Sequence, residues 1–465
     1  MGTITSLIDI AQQALLADQE ALNVTSNNVA NQNTAGYTRE VVNFMPVDTV
    51  TLSGSTFGSG VTASESPERD LFLERQVQHQ TQVQAQSGAL ESALQQIQNI
   101  FGLSSTNNSA SSTPLSTAID SFFSALSSLA SDPSATATRQ NVLSAANTLA
   151  SAFNSSANQL AQVSSSLDQQ VSGDVGQVNK LTATIASLNA QITSQSPNSD
   201  AGALEDQRQL AITQLSQVVG LDQISTENNG ITLTTSGGAV LVSGSQSFAL
   251  STTGVGGVTH MVAGGQDVTS NISGGDLGGV LQARDQKLPS YESSLDTLAY
   301  DIGTQVNLQN EQGLDGNANP AGALFILPAT PNGAAAQIEA QTTNPAAVAA
   351  AGTGEGSAGN TNASALTNLA TATIAGGQTA SGFLASFLGQ IGSDTSGATT
   401  DNSAQQAALT QLTTQRDSLS GVSLDEEASK LTQYQRAYQA AAQVFNIANS
   451  VMASAVNLGV ETAVN

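Results

Sequence analysis

Leu431, Tyr434, Tyr438, Ala441, Phe445, Ala448, Met452 and Ala455 follow one another at alternating steps of three and four residues near the C-terminus. Such spacing keeps one stripe of a helix facing a partner along its length, so the segment requires a second helix. The N-terminus offers one. Ile4, Ile8, Ala11, Leu15, Leu22 and Val29 keep the same steps, interrupted by Asp18 and Thr25. If the two ends pair, the chain leaves and returns at one place, and everything between about residues 40 and 423 hangs from a two-helix stalk.

The seam of the N-terminal helix contains only five large aliphatic residues. Ordering backbone costs about 1 to 2 kcal/mol per residue and burying a large aliphatic returns about 1.5 to 3. The ends are therefore expected to be largely disordered in a free monomer and to order when other subunits cover them. The other reading is that they dock on the chain's own core.

A chain of 465 residues exceeds what one hydrophobic core usually supports, so several domains are expected. Charged residues are 10% and aromatics 4%, which leaves small side chains to build closely packed helices. The net charge of -25 argues against nucleic-acid binding, which needs clustered Lys and Arg, and equally against an anionic membrane surface. With no cysteine there is neither a disulfide nor a thiolate metal site. No Lys or Arg precedes Arg39 and no continuous apolar segment follows the start, so no cleaved signal or transit peptide is expected. No apolar run is long enough to insert through a bilayer.

Between the ends, periodicity divides the chain. The first helix is expected to stop in Asn27-Asn28-Val29-Ala30-Asn31-Gln32-Asn33-Thr34-Ala35-Gly36, where amide side chains compete for backbone hydrogen bonds and Gly36 suits a left-handed cap. Residues 41 to 63, with Val41, Val42, Phe44, Val47, Val50 and Leu52 interrupted by Pro46 and glycines, read as extended structure. Helical periodicity runs from Asp70 to Phe101. A Ser/Asn/Thr linker at 102 to 113 leads into an amphipathic helix that ends at Asp132-Pro133. Helices are expected at 135 to 170, 171 to 194 and 204 to 219, with Pro197 breaking the pattern, so that residues 41 to 220 form an elongated helical bundle behind an extended segment.

From 221 to 274 the period drops to two. Ile231-Thr232-Leu233-Thr234, Val240-Leu241-Val242 and Phe248-Ala249-Leu250 are short β runs between Gly and Asn clusters, a small β-rich insertion. Residues 275 to 312 return a helix to the bundle, 313 to 362 form an irregular Gly/Ala/Asn-rich insert, and 363 to 423 complete the bundle with helices at 363 to 373, 379 to 391 and 402 to 420. The expected fold class is mainly α, with residues 1 to 40 and 424 to 465 as the paired coiled-coil helices, an elongated bundle, and one small β-rich insertion domain.

Catalytic and metal-binding patterns are missing from the sequence. It holds no nucleophile elbow, zinc-protease helix or phosphate loop, and its two histidines, His79 and His260, are too few for a three-histidine metal site. Asp315-Gly316-Asn317-Ala318-Asn319 begins like a calcium loop, but Pro320 and Ile326 stand where the glycine and the bidentate glutamate belong, so a turn is expected. Asp425-Glu426-Glu427 suits the first turn of a helix, where the macrodipole favours acids. Tyr434 and Tyr438 read as seam residues. Arg39 reads either as an ion-pair partner across subunits or as a solvated side chain. No enzyme activity and no cofactor are expected.

Several of these stretches carry a family resemblance. Asn27-Asn28-Val29-Ala30-Asn31 with Thr34-Ala35-Gly36-Tyr37 resembles the shared signature of the bacterial flagellar axial proteins, the family of rod, hook and junction proteins. Tyr37-Thr38-Arg39 favours the hook-associated branch that forms the first hook–filament junction ring, since rod and hook members commonly carry Phe-Lys there. The similarity continues in order through Asp70-Leu71-Phe72-Leu73, Ile185-Ala186-Ser187-Leu188-Asn189, Asp206-Gln207-Arg208, Leu277-Gly278-Gly279, Ala283-Arg284-Asp285 and Gly421-Val422-Ser423-Leu424-Asp425-Glu426-Glu427. Residues 325 to 400 match loosely, and the middle of the chain lacks room for the large outer insertions of some members.

The resemblance implies a structural protein of the bacterial flagellum, exported unfolded through the flagellar type III apparatus and added at the tip of the hook as a ring of like subunits. Its terminal helices line the central channel. Implied partners are other copies of the chain, the hook protein, the second junction protein, and a cytoplasmic export chaperone that masks the C-terminal helix. The implied place is extracellular. A hook or distal-rod protein is the alternative within the family, and a type III secreted coiled-coil effector or adhesin the alternative outside it.

Overall fold

A computed structural model of the chain describes residues 2–34, 36–47, 50–52, 55–57, 60–103, 113–195, 202–225, 230–356 and 358–461. Ala35 of the signature, residues 104–112 of the linker and Pro197 lie outside the described residues.

The chain opens with α1 (Gly2–Asn31), and α11 (Leu424–Glu461) closes it. The two run antiparallel and pack along each other, with Asn28 of α1 meeting Glu427 of α11 at one end of the pair. Both are continuous helices, where the apolar seams taken alone predict disorder for a free monomer. Hydrogen bonds at the base of the pair, described below, add to the seam.

Four short strands follow α1: β1 (Glu40–Pro46), β2 (Val50–Leu52), β3 (Ser55–Phe57) and β4 (Val61–Pro67). β1 and β4 pair antiparallel from Glu40 opposite Pro67 to Pro46 opposite Val61, and this hairpin lies against α1. α2 (Leu71–Ile100) starts where Asp70 accepts hydrogen bonds from the amides of Phe72 and Leu73, a side-chain N-cap.

The body is built on α4 (Thr136–Gln195), a single helix of 60 residues where the sequence reading expects two. Val171, Val175 and Val178 continue the buried face across the expected break, and a Cβ at Gly173 or Gly176 would meet nothing within 4 Å. These glycines lower helix propensity without ending the helix. The first half of α4 shares a core with α3 (Pro114–Ser131), the end of α2, and helices further along the chain, centred on Phe122, Phe153, Tyr291 and Leu298. Its second half shares another with α5 (Ala203–Val218) and the β-rich insertion, centred on Val171, Ile212, Leu233 and Leu277.

The insertion is two antiparallel sheets. One has the order β5 (Leu221–Ser225), β6 (Ile231–Thr235), β7 (Val240–Ser243), β8 (Gln246–Ser247), and the other joins β9 (Ser251–Val255), β10 (Val258–Ala263) and β11 (Gln266–Asp267) with β10 central. α4 holds both through amide side chains. Asn189 donates to the carbonyls of Ile231 and Gly244, and Asn179 bonds both backbone groups of Leu250. A buried cation locks the far side: Arg284 donates to Asp168 at 2.8 Å and to the Thr259 carbonyl at 2.8 Å.

α6 (Gly275–Gln282) passes through a π-turn at Ala283–Lys287 into α7 (Leu288–Glu311). Gly279 allows α6 to lie directly on α2, since a Cβ there would sit 2.2 Å from the Gln86 carbonyl oxygen. The insert after α7 has little regular structure beyond α8 (Ala334–Gln337) and the two-residue strands β12 (Phe325–Ile326) and β13 (Glu339–Ala340), yet it is anchored. Asn307, Asn310 and Asp296 of α7 accept from the amides of Leu324, Ala349 and Ala335 respectively. Asp315 accepts from the amides of Asn317 and Asn319, the turn expected of that loop.

α9 (Thr361–Asn368) leads to α10 (Ala380–Ser420), one helix of 41 residues in place of two. Its middle has few large apolar residues, which hides it from a periodicity reading. Polar contacts to α2 support it: Gln80 to Gln405, Gln84 to Asn402, and Thr399 and Asn402 to Glu91.

Candidate assembly stalk and the clasp at its base

The stalk seam is made largely of small side chains. On α1, Ala11, Ala17, Ala21 and Val24 are buried, and Ile4, Ile8, Leu15 and Leu22 are half-buried; on α11, Ala448 is buried while Leu431, Tyr434, Phe445 and Met452 are half-buried. Thr25, expected to interrupt the stripe, lies inside it, because its hydroxyl donates to the Ala21 carbonyl at 2.8 Å. Asp18 is half-buried and burial holds its carboxyl above the usual range. Two seam assignments need correction. Val29 is 36% exposed while Asn28 is 1%, and Tyr438 is 37% exposed. The reason at the first position is chemical, since an amide and not an isopropyl group is needed where the stalk meets the body. Tyr434 meets Phe44 of the hairpin, with ring centroids 6.0 Å apart.

At the base, Asn28 uses both ends of its amide. It donates to the Glu40 carbonyl at 2.8 Å and to Glu427 at 3.1 Å, and it accepts from the Tyr37 hydroxyl at 2.8 Å and the Glu40 amide at 3.0 Å. Burial first, then the surrounding carboxylates, push the Tyr37 hydroxyl well above its ordinary pKa, so it stays protonated and donating. Gly36 has φ +82° and makes the left-handed turn that brings Tyr37 back to Asn28. Asn31 continues the signature locally, donating to the Asn27 carbonyl while Thr34 donates to Asn31.

Arg39 is the second centre. Its side chain pairs with Glu427 at 3.0 Å, Glu426 at 2.7 Å and Glu68 at 3.4 Å. It is therefore neither solvated nor reserved for a neighbouring subunit, as the sequence suggested. Burial opposes its charge, and Glu427, Glu426 and Glu68 more than offset that, holding the guanidinium above its ordinary pKa. Its amide donates to the Ser420 carbonyl and its carbonyl accepts from Glu68, so one residue ties together α10, α11 and the lead into α2. Next to it, Asp206 of α5 accepts from the amide and hydroxyl of Thr38 and from Arg69.

The clasp borders a polar cleft of about 600 Å³ lined by Asn33, Tyr37, Glu74, Leu210, Arg416 and Glu426 among others. Burial raises the Glu74 carboxyl there. Among the described residues no group of three His, Asp or Glu is placed to hold a metal ion, and no helix is long and apolar enough to cross a membrane. His79 is exposed, and His260 meets Asp267 at the surface of the insertion.

The contacts of Glu427 and Asp206 are absent from the sequence reading, which places Glu427 only in the first turn of a helix. Both stand in quoted motifs, but nothing local says that Glu427 meets Asn28, or Asp206 Thr38.

The family description "Flagellar hook-associated protein FlgK helical domain" matches residues 94–325, "Flagellar basal body rod FlgEFG protein C-terminal" residues 414–458, and "Flagella basal body rod protein" residues 8–38. Flagellar hook-associated protein 1 of Escherichia coli (strain K12) is 27% identical over 98% of this chain and 100% of its own. The chain belongs to the flagellar hook-associated protein 1 family. The protein of the same name in Bacillus subtilis (strain 168) is 27% identical over 97% of each chain. The structure of the flagellar hook junction protein FlgK from Burkholderia pseudomallei matches with a TM-score of 0.66 at 20% identity, over 74% of this chain and 100% of that one, and shares its fold. The two rod-type matches fall on the ends that form the stalk and clasp, and the helical-domain match falls on the body.

Proposed function

We propose that this chain is a structural protein of the bacterial flagellum that joins hook to filament, assembling as a ring through its paired terminal helices. One observation supports the mode of assembly. The stalk leaves Leu7, Leu16, Val444, Ile447, Val451 and Val456 exposed. A two-helix stalk exposing large apolar side chains along both helices has surface that neighbouring copies can cover.

Other copies of the chain, the hook protein below and the second junction protein above are the partners in this reading. The stalk faces the central channel and the body lies outside it. Before export, a cytoplasmic chaperone covers the exposed stripe of α11, and the chain passes through the flagellar type III apparatus unfolded. Coupling stalk coverage to addition at the hook tip restricts assembly to that tip. No catalytic role is assigned.

The test is deletion of the gene, with electron microscopy of the cells and assay of flagellin in the medium. Bare hooks with shed flagellin are expected. Normal filaments would overturn the junction reading, and loss of hooks as well would favour a rod or hook member, whose kind of terminal segment this chain shares.

A further inference from the structure

Pairing gives each stalk helix an inner and an outer face, and at mid-height the two outer faces differ in charge, the exposed Asp425 of α11 lying a further eleven residues toward the base. On α11, Arg436, Ala440, Val444, Ile447 and Val451 recur at helical steps and all are exposed. On α1, Asp9, Gln12, Leu16, Gln19 and Asn23 do the same, with the half-buried Glu20 at the edge of the stripe. The other cation of the stalk helices, Lys430, meets Glu427 at 3.9 Å, and Arg39 at the stalk base is engaged with three carboxylates. Among the described residues Arg436 is the stalk cation without an ion-pair partner, and Glu20 has none either.

We infer that neighbouring copies associate head to tail, the outer face of α11 in one seating on the outer face of α1 in the next, with Arg436 pairing to Glu20 across the contact. This rests on the ring-forming reading above. Charge complementarity selects the arrangement. A contact between two α1 faces would bring Asp9 and Glu20 against their own kind, and one between two α11 faces would oppose two arginines, whereas the mixed contact pairs opposite charges and buries Leu16 among Ala440 and Val444. A contact between unlike faces repeats around a ring or helix, while a like-to-like contact ends at a dimer.

The axial register follows from the clasp. Asn28 and Glu427 stand side by side at 3.1 Å. Glu20 is eight residues from Asn28, and Arg436 is nine from Glu427 in the opposite chain direction. At about 1.5 Å of rise per residue they lie within roughly one residue of the same height. Copies standing side by side therefore bring Arg436 level with Glu20, and Ala440 level with Leu16.

Charge reversal tests the pairing in cells carrying the full-length chain. Arg436→Glu and Glu20→Arg are each expected to lower the fraction of cells with filaments severalfold and to shed flagellin, and the double variant to restore filaments. Wild-type filament counts in both single variants would overturn the pairing. A double variant that stays bare, with rescue instead by Arg436→Glu combined with Asp9→Arg, would overturn the register. Because the chain has no cysteine, cross-linking gives an independent readout. Leu16→Cys and Ala440→Cys chains expressed together should yield an oxidised dimer, and Leu16→Cys alone should not. A dimer from Leu16→Cys alone would overturn the head-to-tail arrangement. Intact filaments in the gene-deletion strain would instead remove the junction reading itself, so the two failures are separable.

Discussion

Asn28 and Glu427, 399 residues apart in the chain, meet at 3.1 Å in a site where the Glu427 side chain is only 1% exposed. A buried carboxylate is tolerated there because Arg39 and Asn28 supply charge and donors together. The first and last helices are thus joined by a polar contact as specific as their apolar seam.

Arg39→Ala should open this clasp. It leaves Glu427 buried beside Glu426 with only the longer 3.9 Å contact to Lys430 as countercharge, and breaking a buried pair costs up to about 3 to 5 kcal/mol when the site cannot relax. The loss should be local. Limited proteolysis is expected to release α1 and α11 early, while the thermal transition of the body changes little.

The body should fold without the stalk. Neither of its two large cores includes a residue of α1 or α11. A fragment of about residues 60 to 420 is expected to keep its helical circular dichroism and a cooperative thermal transition. A fragment that unfolds would show that the stalk is part of the body's stability.

Gly279→Ala should destabilise the body. The added Cβ would sit 2.2 Å from the Gln86 carbonyl oxygen and 2.8 Å from the Ala89 Cβ. Overpacking of this kind costs about 1 to 3 kcal/mol, which calorimetry would read as a lowered Tm.

Asp174→Asn should stabilise the body above neutrality. Burial first, then the nearby Asp276 carboxylate, raise the Asp174 carboxyl from 3.8 to about 6, and its Oδ2 is buried without a hydrogen-bond partner. A carboxyl raised on folding binds more protons in the native state, so stability falls as pH rises from about 4 to 6 and the penalty is complete above that. After allowance for solvent screening the gain is about 1 kcal/mol. Denaturant titration should show it at pH 8 and not at pH 4.

Helix and strand periods marked most elements. The apolar seam of α11 and the alternation of Ile231 and Leu233 arise from local geometry, so they can be read in a single strand of sequence. The places where the reading went astray have a common cause. α4 continues through Gly173 and Gly176, and α10 continues through a polar middle, because partners elsewhere in the chain hold them. Thr25 lies inside the seam through a hydrogen bond to its own helix, which an apolar count treats as a gap.

Residue patterns along the chain are enough to make the ends helical and suited to pairing, to turn the chain at Gly36 after the first helix, and to make the middle a helical body with a β insertion. These features depend on residues close together along the chain. Folding is what makes Asn28, Arg39 and Glu427 one clasp, brings Thr38 to Asp206, and leaves Arg436 exposed with no ion-pair partner among the described residues. A buried charge has meaning only with its partners, and here folding alone brings them within reach from hundreds of residues away.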